Sequence, residues 1–426
     1  MTKPGDGGTG RTAGTAAGAR PAKRLTGLDS ARGLAVLGMF VVHIGPHPAD
    51  GPAAGGADLL LTAPQGRASA AFALIAGLTL AVARGATRPR SRAPATLRTT
   101  LVRCGILAVV GLSLASLHPP VFVILGFYAV YFLLAEPFTR LRPPALIASA
   151  AASVLLGPVL LYGVAPAFGH LTEGRGGGAP ELRDLTTPAG LWHTLDLVLV
   201  SGAYPVLAYF PYVLTGLALG RTVDLHRPAG PWLTAAGGTA VALLGYGVSH
   251  LALENWGARA ALLTAIQDSH PWAAAAEDPL QEILAGQLGA IPATDWGWLL
   301  VSDPYSQTPP EILGSAGVAV ALVGLAVAAG RSRLGARLLT PLTVVGSMAL
   351  TAYVGHVLAL TALTGLADWQ DTGWRETVWF GAVTVAGCWT WQLVWRDSPL
   401  RRGPLEYLMH TVVGRAAGRG DRHARA

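Results

Sequence analysis

Residues 27–48 read GLDSARGLAVLGMFVVHIGPHP. The run from Leu28 to Gly45 is apolar and close to the length needed to cross a hydrocarbon core, about 20 helical residues. Yet it carries Asp29 and Arg32 at one end, and His43 and His47 at or just past the other. His43 lies eleven positions after Arg32. That is close to three turns, so the two side chains share a helix face about 16 Å apart along the axis, and Asp29 lies on the same face. Ionisable groups inside membranes usually face a protein interior or a water-filled cavity. The spacing therefore predicts a polar seam down one side of the first helix, with Arg32 near the cytoplasmic surface and His43 near the outer one.

Working outward, the chain has 426 residues, of which 51% are hydrophobic and only 13% charged. A soluble domain carries about 25% charged residues, so the shortfall points to lipid as the solvent. Apolar stretches of spanning length recur near 27–45, 66–84, 100–117, 120–137, 144–165, 203–220, 231–252, 311–330, 339–364 and 375–396. The expected fold is all-α, a polytopic integral membrane helical bundle of about ten transmembrane helices. Residues 1–26, rich in Gly, Ala, Thr and Arg, read as a disordered basic cytoplasmic tail. Residues 27–396 form the transmembrane domain, and residues 397–426 a basic cytoplasmic C-terminal tail. The first apolar run carries Arg32 and is followed by no small-residue cleavage site, so it is read as a spanning helix and not a signal peptide.

Orientation follows from the basic residues. The N-terminal tail, the loops around 84–103, 138–143, 221–230 and 331–337, and the C-terminal stretch from 396 hold 25 of the 31 lysines and arginines. Short cytoplasmic loops retain positive charge, so both termini are placed in the cytoplasm. The net charge of +7 is then a membrane-surface feature, and nucleic-acid binding is not implied. Cys104 and Cys388 lie in apolar segments with neither a metal-ligand spacing nor a disulfide framework.

Two outer loops, roughly 166–202 and 253–310, contain helix signals: Thr187 as a cap with Pro188 at the first position, and amphipathic runs in ARAALLTAIQDSHPW and EDPLQEILAGQLGAI. They are expected either to roof a cavity or to lie in the headgroup region, with Trp272, Trp296 and Trp298 as interfacial anchors. Tyr204 and Pro205 are expected to mark a break between an interfacial and a spanning helix.

Four of the five outward-running helices have a histidine in or just past their outer half: His43, His118, His250 and His356. Imidazole titrates near neutrality, which suits it to take and return a proton. The plainer reading of each polar group stands beside this. Arg32 can pair with Asp29 and snorkel to lipid phosphates, and single histidines can sit idle at headgroup depth. Gln65 and Arg67 can terminate a helix, and Asp303 and Tyr305 sit in a turn-rich stretch, SDPYSQTPPE. No HExxH or other close ligand spacing suggests a metal.

RLTGLDSARGLAVLGMFVVHIG resembles the first helix of the transmembrane acyltransferases, the group that includes acyltransferase family 3, the YeiB-like proteins and heparan-alpha-glucosaminide N-acetyltransferase. In acyltransferase family 3 an arginine and a histidine separated by ten residues form the signature of that helix, and Arg32 and His43 match it. GRASAAFALIAGLTLAV (66–82) is similar to the second YeiB-like segment, with Arg67-Ala68 where that family has Lys-Phe. Stretches 202–221, 302–322, 344–360 and 401–414 resemble later segments in the same order. The last of these contains Gly-Pro-Leu-Glu, similar to the YeiB-like C-terminus.

The resemblance implies transfer of an acyl group, usually acetyl, from a cytosolic donor such as acetyl-CoA or another acyl-CoA to an extracytoplasmic hydroxyl or amine on a carbohydrate or small molecule. The acyl-CoA acts as co-substrate and no bound cofactor is implied. His43 is the expected general base or acyl carrier. In the heparan acetyltransferase branch the matching position is asparagine, and the catalytic histidine lies further on in the first outer loop, a role that falls to His47 here. His356 is a second acid–base candidate. Arg32, and with it Arg67, is expected to bind the donor. Asp29, Gln65, Asp303 and Tyr305 are expected to bind substrate. The alternative is a multi-pass transporter or exporter of a small molecule. The sequence leaves the oligomeric state open, a homo-oligomer included.

Overall fold

The computed structural model describes residues 25–46, 56–84, 94–164, 178–286, 294–367 and 373–417. Seventeen α-helices are formed by them: α1 (Thr26–Ile44), α2 (Gly56–Thr62), α3 (Arg67–Ala83), α4 (Pro94–Ala115), α5 (Leu125–Phe138), α6 (Pro143–Val164), α7 (Pro188–Asp196), α8 (Val206–Thr222), α9 (Gly230–Glu254), α10 (Ala258–Ser269), α11 (Pro279–Gly286), α12 (Pro309–Ala329), α13 (Arg333–Leu338), α14 (Thr340–Ser347), α15 (Ala349–Ala367), α16 (Trp374–Val394) and α17 (Pro404–Ala416). Among the described residues there is no strand.

Among the described residues, six helices are long and apolar enough to cross a membrane, or eight if two bent pairs each count as one span. The ten crossings expected from hydropathy are not reached, for local reasons. Helix α5 has 14 residues, about 21 Å at 1.5 Å per residue, too short by itself for a core of about 30 Å. The stretch 203–220 is half of a pair, Pro188–Ser201 and Val206–Thr222, bent by 61° at the Tyr204–Pro205 break. The stretch 339–364 is two helices, Thr340–Ser347 and Ala349–Gly365, bent by 82°. In α16, tryptophans and Gln392 dilute the apolar run.

The bundle centres on α3, which lies against α8, α1 and α12, while α9 runs along α12. Small residues set these approaches, as expected where helices associate in lipid by close packing. The crossing that positions the site is α1 on α14. A Cβ on Gly346 would lie 1.7 Å from the Asp29 carbonyl oxygen, and one on Gly33 would lie 2.0 Å from that of Leu342. The two backbones therefore touch.

The loop helices form as the caps predict. The Thr187 hydroxyl accepts from the Gly190 N–H at 3.0 Å, and α10 and α11 pack into a separate apolar cluster with Trp298 and Tyr162. Trp298 is 0% exposed, so it is a core residue of that cluster and not an interfacial anchor. Trp272 and Trp296 are exposed. At the chain's other end, residues of the expected C-terminal tail form the turn Pro399–Arg402 and α17, which packs against α4 and α15.

Candidate functional site

The first helix delivers its polar groups to two different places. At the Thr26 end, Arg32 Nη1 donates to Asp29 Oδ1 at 3.0 Å, and Nη2 donates to the Thr79 hydroxyl of α3. At the far end, His43 Nδ1 lies 3.3 Å from His356 Nε2 of α15. The rings stack with centroids 5.4 Å apart and planes inclined by 14°. One neutral imidazole donates to the other, and which one does so depends on the tautomers. Two histidines that are 313 residues apart in sequence thus form one unit.

The continuous polar seam expected along α1 is absent. Between Arg32 and His43 the same stripe carries Val36 and Phe40, 0% and 1% exposed. Both are packed in an apolar cluster with Val344, Val345 and Met348 of the α14–α15 corner. Phe40 also packs on the His356 ring at 4.9 Å. His43 points into the bundle, onto His356, with sealed packing beneath it along this face.

His356 is 2% exposed, and its Nδ1 is buried with no hydrogen-bond partner among the described residues. Tyr353, one turn earlier, packs edge-on at 5.0 Å, and its hydroxyl accepts from the Ile124 N–H at 3.1 Å. Helix α15 begins beside α17, where the Glu406 carboxylate accepts from the Leu350 and Thr351 amides at 2.8 and 3.1 Å and from the Thr351 hydroxyl. This is an N-terminal cap supplied from a distant segment, with the charge at the favourable end of the helix dipole. It gives the Gly-Pro-Leu-Glu motif a physical role. Gly403 adopts φ +103, and a Cβ there would lie 2.2 Å from Glu406 Oε2.

The remaining expected residues gather elsewhere. Gln65 lies in the turn before α3, where the Arg67 N–H donates to its carbonyl at 2.7 Å. Arg67 Nε donates to the Tyr246 hydroxyl at 2.7 Å, and its Nη1 donates to the Thr62 carbonyl at 3.1 Å. Asp303 and Tyr305 approach this corner through the strained segment before α12, in which Tyr305 and Gln307 both have left-handed backbones, φ 67 and 58. Burial pushes the Asp303 carboxyl above its ordinary value. His118 lies 3.5 Å from Glu181 and His250 is exposed on α9; neither approaches the pair. His47 lies outside the described residues.

Sequence reasoning missed the centre of this corner. Glu311 is buried in the first turn of α12, accepting from Ser315 Oγ at 2.9 Å and from the Tyr212 hydroxyl at 3.2 Å. Its signal was present in Thr308-Pro309-Pro310-Glu311, a cap with proline at N1 and glutamate at N3. Its partners outside α12, Tyr212 on α8 and Arg67 on α3, lie far away in sequence and left no mark in the spacing.

Two cavities flank the α14–α15 corner. One, of about 460 Å³ at the Thr26 end, is lined by Thr26, Asp29, Ser347, Gln392, Arg401 and Arg402 among others. The other, a groove of about 380 Å³ between α15 and α16, runs past Met348, Ala352, Gly387 and Trp391 to His356.

A family described as heparan-alpha-glucosaminide N-acetyltransferase, catalytic, matches residues 24–252. A second, described as protein of unknown function (DUF418), matches residues 283–416. Comparison with curated proteins and with solved structures finds no match. His43 falls in the first matched segment, and His356 and Glu406 in the second.

Proposed function

The chain belongs to the heparan-alpha-glucosaminide N-acetyltransferase catalytic family, and from that premise we propose that it is a multi-pass membrane acyltransferase. It takes an acyl group, acetyl in the first instance, from a cytosolic acyl-CoA and gives it to an extracytoplasmic hydroxyl or amine of a carbohydrate or small molecule. The observation that carries this reading is the contact of His43 with His356 at 3.3 Å.

In this reading the acceptor oxygen or nitrogen attacks the thioester carbonyl carbon while His43 takes its proton. The tetrahedral adduct collapses with loss of the C–S bond, and the departing sulfur receives that proton, leaving a free thiol. His356 orients the His43 ring and stabilises its protonated form. Arg32, tied to Asp29 and Thr79, supports the donor side. Arg67, Gln65, Asp303 and Tyr305 border the acceptor side together with Glu311.

The test uses purified full-length protein in detergent with radiolabelled acetyl-CoA and a panel of amino sugars and polyols, reading label transfer and thiol release. His43→Ala and His356→Ala are each expected to lower turnover at least 100-fold, in the range of general-base contributions, while remaining monodisperse. Full activity in the double variant would refute the reading. Transport is the second reading, favoured by the two broken spans, a feature of many transporters. Acceptor uptake into protein-containing vesicles without acylation would support it.

A further inference from the structure

If acyl transfer is the reaction, a cytosolic thioester must reach the histidine pair, and the direct way along α1 is closed by Val36 and Phe40, 0% and 1% exposed. The opposite side of the α14–α15 corner is open. The cavity at the Thr26 end is lined by Ser347 and Gln392, and the groove that ends on His356 is lined by Met348 and Trp391. Ser347 and Met348, and likewise Trp391 and Gln392, are successive residues, so the two spaces lie on either side of the corner where the chain bends by 82°.

The lining changes character in order along this path. At the mouth stand Arg401 and Arg402, both exposed and neither in an ion pair among the described residues. Their turn is pinned to α16 by Trp391 Nε1, which donates to the Leu400 carbonyl at 2.8 Å. At the neck, Gln392 Nε2 donates to Ser347 Oγ at 2.7 Å. Beyond it the walls are Ala352, Gly355, Ala359, Phe380 and Val383.

Cations, then amide and hydroxyl, then an apolar slot ending at an imidazole match a ligand with a diphosphate, a diamide arm and a terminal thioester. From Met348 to His356 is eight residues of helix, about 12 Å. A pantetheine arm of about 15 bonds extends on the order of 18 Å, enough for neck and slot together.

We propose that the two cavities form one donor path, in which Arg401 and Arg402 hold the phosphates of a coenzyme A thioester and the groove between α15 and α16 carries its arm to His356. The proposal rests on the acyl-transfer reading. It gives the C-terminal segment two roles at the site, gripping the donor through Arg401 and Arg402 and anchoring the histidine helix through Glu406.

The test separates phosphate from arm. Arg401→Ala/Arg402→Ala is expected to raise the KM for acetyl-CoA and the Kd for tritiated coenzyme A at least tenfold, with the effect shrinking at high salt. It should leave turnover of S-acetylpantetheine, which lacks the phosphates, within twofold of wild type. Gly387→Trp is expected to lower turnover of both donors at least tenfold. No atom lies within 4 Å of a Cβ at Gly387, so the new side chain enters the slot without a backbone clash. Unchanged coenzyme A affinity in the arginine variant, or full activity in Gly387→Trp, overturns the path while leaving acyl transfer standing. Loss of both donors alike in the arginine variant also overturns it. If that variant changes only the stabilisation given by added phosphatidylglycerol, the arginines serve lipid headgroups and the path is overturned. Wild-type protein that neither binds coenzyme A nor releases it from acetyl-CoA sinks the acyl-transfer reading itself, and this inference with it.

Discussion

Replacing Glu406 isolates the cap that holds the histidine helix. Its Oε1 accepts two backbone amides, from Leu350 at 2.8 Å and Thr351 at 3.1 Å, and its Oε2 accepts the Thr351 hydroxyl. Loss of a capping side chain costs about 1–2 kcal/mol, and loss of a negative charge at a helix N-terminus costs a further 0.3–1 kcal/mol or so. Glu406→Ala should therefore destabilise the domain by about 1.3–3 kcal/mol. Glu406→Gln keeps one oxygen for the amides and loses mainly the charge, so about 1 kcal/mol is expected. Thermal unfolding in detergent, followed by tryptophan fluorescence, measures the order wild type, Gln, Ala. Because α15 carries His356, turnover should fall in the same order, and coenzyme A affinity should fall less than turnover. An alanine variant that melts with wild type, or a glutamine variant as damaged as alanine, would refute the capping argument.

Three further outcomes are expected. Gly346→Val should abolish accumulation of folded protein, because its Cβ would stand 1.7 Å from the Asp29 carbonyl oxygen and no side chain can yield; detergent-soluble, monodisperse protein would contradict the α1–α14 contact. Glu136→Ala should cost on the order of 3 kcal/mol, read as a lowered melting midpoint, since it takes the carboxylate from Arg84 and from the Thr100 hydroxyl at 2.9 Å; Glu136→Gln should cost less. Burial raises the Asp303 carboxyl, so the folded state binds a proton more tightly than the unfolded chain. The penalty on its charged form is present above the folded pKa and is relieved as pH falls through it. Wild type should therefore gain on Asp303→Asn in paired melting scans as pH drops from 7 to about 4, the ordinary carboxylate value, and a constant or opposite difference would refute the assignment.

Much of the site's raw material was legible one residue at a time. His43 and His356 were both named from histidines recurring at the same helix end. The Tyr204–Pro205 break and the Thr187 cap were read from local stereochemistry, which acts over a few residues and survives in any context. The seam along α1 failed because helical periodicity assigns a face but not its neighbour. Asp29, Arg32, Val36, Phe40 and His43 share a stripe, yet the stripe crosses from α3 and α14 to α15 along its length. Glu311, Glu406, Arg401 and Arg402 escaped because their meaning lies in partners far away in sequence.

The chain alone determined its solvent and its secondary structure, since apolar runs and backbone bonding leave helices as the only sensible answer for such a composition. Only the packed bundle decided which polar groups meet. Glycine contacts let α14 lie on α1, the 82° corner packs against Val36 and Phe40 of the first helix, and Glu406 caps the helix that brings the second histidine to the first. Those are properties of surfaces meeting at close range, and residue spacing along a single helix does not encode them.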